Sequence, residues 1–258
     1  MRKFRIIVNI LLAVTALVFI AGKLYTHFAV DTRPPVINCE QDTVTVSVRD
    51  DEARLLSGVT AADDRDGDLT ARVQVTGVSK LVGPDTAKVS YAVFDKAGNM
   101  GTLTRYVRYT DYHRPVFRLE KPLIYGTGET LSLAGRLYAE DSADGNLTGK
   151  IRVSAMNISY SSEGMYTLTA QVTNSLGDTA RIALPVIIRA SSRTTVQLDE
   201  YLTYVEQGGE FDAKSHIVGD ASSVVISGEV DAQTPGTYYV SYSRADGSGA
   251  VILTVAVE

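Results

Sequence analysis

The chain has 258 residues, a formal net charge of −5, 45% hydrophobic residues and 21% charged ones. That balance is globular and excludes wholesale disorder. Its one cysteine excludes an intrachain disulfide framework and a thiolate zinc cluster. An acidic chain offers no cluster of Lys and Arg to neutralise phosphates, so no nucleic acid partner is expected.

The first predicted element is a membrane helix. Arg2, Lys3 and Arg5 precede an apolar run from Ile6 to Ala21, broken only by Asn9 and Thr15. At about 1.5 Å per residue this run spans roughly 24 Å, short of a hydrocarbon core of about 30 Å. Continuing to Phe28, with Lys23 snorkelling to the headgroups, closes the gap. Residues 6–28 are therefore the expected membrane contact, and residues 1–30 a cytoplasmic stub plus helix. The run reads as a cleaved signal peptide or as an uncleaved signal anchor. Cuts after Ala21 or Ala29 would place Phe19 or His27 where cleavage sites carry a small residue, so the anchor is expected. Three basic residues before the run, against Lys23 after it, put the N-terminus in the cytoplasm and the bulk outside, as a single-pass surface protein. Charge agrees, because residues 1–30 hold four basic residues and no acid, leaving 21 basic and 30 acidic residues in 31–258.

Beyond the helix the chain repeats itself. Asp63-Asp64-Arg65-Asp66-Gly67-Asp68-Leu69-Thr70 recurs as Asp141-Ser142-Ala143-Asp144-Gly145-Asn146-Leu147-Thr148. Downstream, Tyr91, Asp95 and Gly98 correspond to Ala170, Asn174 and Gly177, and again to Tyr242, Asp246 and Gly249. Within the copies, Thr43–Val48, Arg72–Val75, Thr167–Val172, Tyr238–Tyr242 and Leu253–Val257 alternate apolar with polar, which predicts half-buried strands. Asp51–Ser57 predicts a single helical turn. Turn residues such as Asp66-Gly67, Asp144-Gly145 and Pro235-Gly236 separate the runs. Short strands in units of this size predict an all-β chain of three tandem β-sandwiches, at residues 31–111, 112–190 and a divergent 191–258, after the N-terminal transmembrane helix. Cys39 follows Val36-Ile37-Asn38 rather than a small residue, so it reads as a small apolar strand residue and not as a lipidation site. Tyr238, Val240 and Tyr242 should face a core, leaving Tyr239 to pair on the outer face.

The order of motifs resembles the bacterial Ig-like domains repeated in surface proteins, relatives of hyalin-repeat and cadherin-like modules. A linker ending Asp-x-x-x-Pro, from Asp31 to Pro35, is followed by Ala61, Asp63, Asp66, Gly67, Asp68 and Thr70, then by Asp95-Lys96-Ala97-Gly98-Asn99. The second copy keeps this loosely, and the third keeps Pro235-Gly236-Thr237-Tyr238 without the acidic loop. The resemblance implies Ig-like sandwiches serving as spacers, stalks, adhesion units or companions of enzymes.

The acidic loop is the sharpest candidate site. Four carboxylates fall within Asp63–Asp68, and hard cations such as calcium take six to eight oxygens. Asp63, Asp66 and Asp68, with Asp95 and the linker residue Asp111 completing the shell, form the candidate calcium set; no cofactor is otherwise required. An EF-hand is excluded, since counting from Asp64 puts Leu69 and Val75 where glycine and glutamate are needed. The alternative is a solvated turn whose Asp side chains accept nearby backbone N–H groups. His27, His113 and His216 share no motif, and no nucleophile elbow or P-loop occurs, so no enzyme is expected. The function read from the sequence is a membrane-anchored surface stalk, adhesion or ligand-binding element with a protein or glycan partner. A component docking a membrane or envelope assembly and a carbohydrate-active accessory protein are the alternatives.

Overall fold

The computed structural model describes every residue except Met1, Val30 and Asn157; the side chains of residues 26–29 and 154–156 also lie outside the described residues, His27 and Phe28 of the expected membrane segment among them. The chain divides into two compact units, Met1–Thr110 and Asp111–Glu258.

The first unit opens with helix α1, Arg2–Ala29. Its Arg2–Tyr25 stretch has a mean hydropathy of 2.5 and no buried residue, and is long and apolar enough to cross a membrane. The Thr15 hydroxyl donates to the Leu12 carbonyl at 2.9 Å, so it needs no partner outside the helix. Seven strands follow: β1 (Val36–Cys39), β2 (Thr43–Val46), β3 (Val59–Asp63), β4 (Gly67–Asp68), β5 (Gln74–Val78), β6 (Thr86–Phe94) and β7 (Met100–Tyr109), with the one-turn helix α2 (Glu52–Leu55) between β2 and β3. They form a three-stranded sheet in the order β1-β3-β4 and a four-stranded sheet in the order β2-β7-β6-β5. All pairs are antiparallel except β2 and β7, which run parallel from Thr43 opposite Tyr106 to Val46 opposite Tyr109.

Alternation decides what is inside. Ala87, Val89, Tyr91 and Val93 of β6 all point inward and meet Val44, Val46 and Val107 of their own sheet and Ile37, Val59 and Ala61 of the other. Cys39, half-buried on β1, packs at the margin of this core. The predicted strand from Thr43 stops at Val46 and not at Val48, because the Asp50 carboxylate takes the Ser47 N–H at 2.9 Å and turns the chain. Arg105 is buried and forms no ion pair among the described residues. Its guanidinium donates to the Tyr91 hydroxyl at 2.8 Å and to the Leu55 and Ser57 carbonyls at 2.7 and 2.8 Å, so α2 is tied to the core through polar contacts.

The second unit repeats the plan and then varies it. Strands β8 (Val116–Leu119), β9 (Ile124–Gly126), β10 (Leu137–Asp141), β11 (Gly145–Asn146), β12 (Arg152–Met156), β13 (Gly164–Thr173) and β14 (Thr179–Arg189) form sheets β8-β10-β11 and β9-β14-β13-β12, with β9 parallel to β14. Even the irregularity recurs, since β5 and β12 both shift register against their neighbours, between Val75 and Gly77 and between Val153 and Ala155. The third copy has one four-stranded sheet, β15 (Leu202–Val205), β18 (Val251–Val257), β17 (Gly236–Arg244) and β16 (Val224–Ser227), in that order and with β15 parallel to β18. Where the other copies place a three-stranded sheet, it has an isolated antiparallel bridge between Leu198 and Ile217.

One hydrophobic core runs through both copies of this unit, from Phe117 and Leu184 to Tyr242 and Leu253. Backbone and side-chain bonds cross the join: Tyr201 N–H to the Leu119 carbonyl at 2.9 Å, Phe117 N–H to the Tyr204 hydroxyl at 2.9 Å, and Tyr239 hydroxyl to the Ala183 carbonyl at 3.2 Å. Val240 and Tyr242 face the core as alternation requires. Tyr239 takes the opposite face, where its hydroxyl is used by the second copy.

Candidate functional site

The acidic loop sits at the end of β3, and its turn builds itself. Asp63 Oδ1 accepts the N–H groups of Arg65 and Asp66 at 2.9 and 2.8 Å, which folds the chain back so that Asp63 pairs with Gly67 across the ladder. Gly67 has φ +74°, a left-handed conformation that a side chain would strain, and Gly145 at the same place in the second copy has φ +68°. Asp68 Oδ1 accepts the Thr70 N–H at 2.9 Å, while the Thr70 hydroxyl accepts the Ala61 N–H at 3.1 Å. Leu69, 4% exposed, then enters the core and anchors the loop.

The structure brings together only part of the predicted set. Asp66 turns to the next loop, accepting the Lys96 N–H at 2.6 Å and the Lys96 ammonium at 3.1 Å, and those bonds hold its carboxyl below the usual range. Asp68 is likewise held low by the Thr70 side chain and N–H. Neither is among the carboxylates that converge. Asp111 opens the second compact unit. Among the described residues, those that do converge are Asp63, Asp95 and Asp31, each of which brings one carboxylate oxygen to within 4.8 Å of the others. Sequence reading missed Asp31. The signal was present, because Asp31 precedes Pro35 as Asp111 precedes Pro115, but the reading assigned the later linker to the site.

These three groups are held by different elements. Asp95 follows β6 and is 4% exposed; its Oδ1 accepts the Asn99 N–H and its Oδ2 the Asn99 side-chain amide, both at 2.7 Å. Burial pushes the Asp95 carboxyl up, but these bonds, with the Gly98 and Ala97 N–H groups, outweigh it and hold it below the usual range. The same Asn99 amide donates to the Asp31 carbonyl at 3.2 Å, which docks the linker. Asp31 Oδ1 accepts the Arg33 N–H at 3.0 Å, and its Oδ2 lies 3.8 Å from Arg65 Nε, with the side chain 9% exposed. Asp63 is 9% exposed, and its Oδ2 is fully buried with no hydrogen-bond partner among the described residues.

The second copy holds the corresponding residues differently. Asp141 Oδ1 accepts the Asp144 N–H at 2.7 Å, as Asp63 does from Asp66. Asn174 stands where the first copy has Asp95. Its side-chain amide donates to Asp141 Oδ2 at 2.7 Å and to the Tyr112 hydroxyl at 2.9 Å. Tyr112 in turn donates to Asp178 Oδ2 at 2.8 Å, and burial and that carboxylate push its phenol well up. The Asp141 oxygen whose counterpart in Asp63 is orphaned is therefore paired inside the protein in the second copy.

Residues 43–108 match the model of a family described as bacterial surface protein, Ig-like domain, the family that the motifs resemble. Over 239 residues the chain is 26% identical to an uncharacterized 81.3 kDa protein of Acholeplasma phage L2, covering 88% of this chain and 32% of that protein. Over 125 residues it is 31% identical to the pesticidal crystal protein Cry22Aa of Bacillus thuringiensis, covering 44% of this chain and 17% of that one. The chain thus spans no more than about a third of these relatives' lengths. Among solved structures, it is similar to that of CBM51-2 in complex with GlcNAc and INT domains from Clostridium perfringens ZmpB, at 14% identity and a TM-score of 0.24 over 60% of this chain and 41% of that one. Drosophila N-cadherin EC1-4 is similar at 11% identity and a TM-score of 0.24, over 84% and 73% of the two chains. With TM-scores this low, neither likeness bears on what the chain does.

Proposed function

We propose that this chain is a single-pass membrane protein whose Ig-like units stand outside the cytoplasm and act as a surface stalk or adhesion element, by spacing and binding rather than by catalysis. One observation carries the reading: a helix of mean hydropathy 2.5 with no buried residue leads directly into a domain that matches a bacterial surface Ig-like family. An apolar helix of this length lowers its free energy by entering a bilayer, and the basic residues Arg2, Lys3 and Arg5 favour the cytoplasmic side for its start. The acidic balance of 31–258 keeps the exported part off anionic headgroups.

Protease treatment of intact cells expressing the chain tests this. Residues 31–258 are expected to be digested while a short helix-bearing fragment stays with the membrane. Full protection in intact cells, with digestion only after lysis, overturns the orientation. Release of the untreated protein into the medium overturns the anchor. Asn9 supports a second reading, in which the helix also pairs with other membrane helices through its side-chain amide. Cross-linking from position 9 to a membrane partner, abolished by Asn9→Leu, would establish it.

A further inference from the structure

We propose that Asp31, Asp63 and Asp95 form a calcium site that fastens the linker after the membrane helix to the first Ig-like domain. A group of acidic residues alone would not carry this. The independent observation is Asp63 Oδ2, an oxygen of a side chain that is 9% exposed, fully buried itself and without a hydrogen-bond donor among the described residues. Leaving such an oxygen unmatched is costly, so a positive group belongs beside it.

The repeat supplies an internal control. At the same place in the second copy, the Asn174 amide donates to Asp141 Oδ2 at 2.7 Å. The first copy has Asp95 there, which when ionised donates nothing and brings a further negative charge. The scaffold is otherwise matched, down to the Asx turn and the Thr70 and Thr148 hydroxyls under the loop. One copy satisfies this oxygen with an amide proton, and the other brings the carboxyl groups of Asp31 and Asp95 close to that of Asp63. Lys96 does not serve, because it pairs with Asp66. Arg65 reaches Asp31 at 3.8 Å and offsets part of the charge.

Donor chemistry and spacing select the ion. All three ligands are carboxylate oxygens, which suit hard cations and not zinc. Ligands on opposite sides of one calcium lie up to about 5 Å apart, given bonds of about 2.3–2.6 Å, whereas magnesium at about 2.0–2.1 Å reaches only about 4.2 Å. Oxygens within 4.8 Å of one another fit around one calcium, and magnesium, which keeps several waters and is rarely held by a dedicated all-protein cage, suits such a set less well. Three carboxylates with water for the remaining positions give an expected Kd of about 10⁻⁴–10⁻³ M, the range of extracellular modules.

The test is calorimetric titration and thermal melting of the full chain in detergent after treatment with a chelator. Wild type is expected to bind calcium saturably and melt at a higher temperature with about 5 mM calcium, with magnesium at least about tenfold weaker. Asp95→Asn removes one ligand and its charge, so it should lose calcium binding by at least about tenfold. Asp31→Asn removes only the linker ligand, and should weaken calcium by a similar factor even if Asp95→Asn folds poorly. Absence of calcium-dependent heat and melting shift in wild type overturns the proposal, as does undiminished binding in both variants. Magnesium binding as tight as calcium overturns the choice of ion.

Discussion

At the level of single residues, one amide decides how the second copy differs from the first. Asn174→Asp would place a carboxylate against Asp141 Oδ2 and remove two donated bonds. The expected cost at neutral pH is at least about 2 kcal/mol by denaturant unfolding, easing as acid protonates one of the pair. Elsewhere acid acts in the opposite direction. The Lys96 N–H and ammonium hold Asp66 low. Burial pushes Asp144 up, but Lys150 and Ser175 outweigh it and hold it low too. A carboxyl depressed on folding stabilises above its unfolded pKa of about 3.9, and that contribution is lost as pH falls through the lower folded value. Melting temperature is therefore expected to fall below about pH 4, and Asp66→Asn with Asp144→Asn should flatten that fall. The sequence displayed the acidic loop and its recurrence, and so located Asp63 and Asp95. It could not show that Asp66 and Asp68 are consumed by their own neighbours, because Asx bonds depend on the turn the chain adopts. Nor could it say which linker aspartate folds back.

Among the elements, alternation made several strands visible, and β13, β17 and β18 fall where the apolar positions put them. Their partners were less visible. Pairing a short early strand of each copy, β2, β9 or β15, with the last, in parallel, is a long-range choice that no local pattern encodes. The third copy announced its departure by lacking the acidic loop, yet its single four-stranded sheet shares a core with the second copy through residues that read as ordinary strand tyrosines. Tyr204 is the clearest of them, with its phenol pushed up to about 12 by burial and its oxygen accepting the Phe117 N–H. Tyr204→Phe leaves that N–H unmatched and is expected to destabilise the second unit by about 1 kcal/mol, measured as a shift in its denaturant midpoint with unchanged slope.

For the whole molecule, the two compact units should unfold as two heat-absorption steps in scanning calorimetry. Tyr204→Phe should move only the step of residues 111–258, and calcium only that of residues 1–110. Three steps would mean that the second and third copies melt apart in spite of their common core. The parallel pairs β2–β7, β9–β14 and β15–β18 have a mechanical consequence. When a pull drags the start of such a domain one way and its end the other, paired parallel strands are sheared lengthwise. All the rungs between them then bear the load at once and are not peeled one by one.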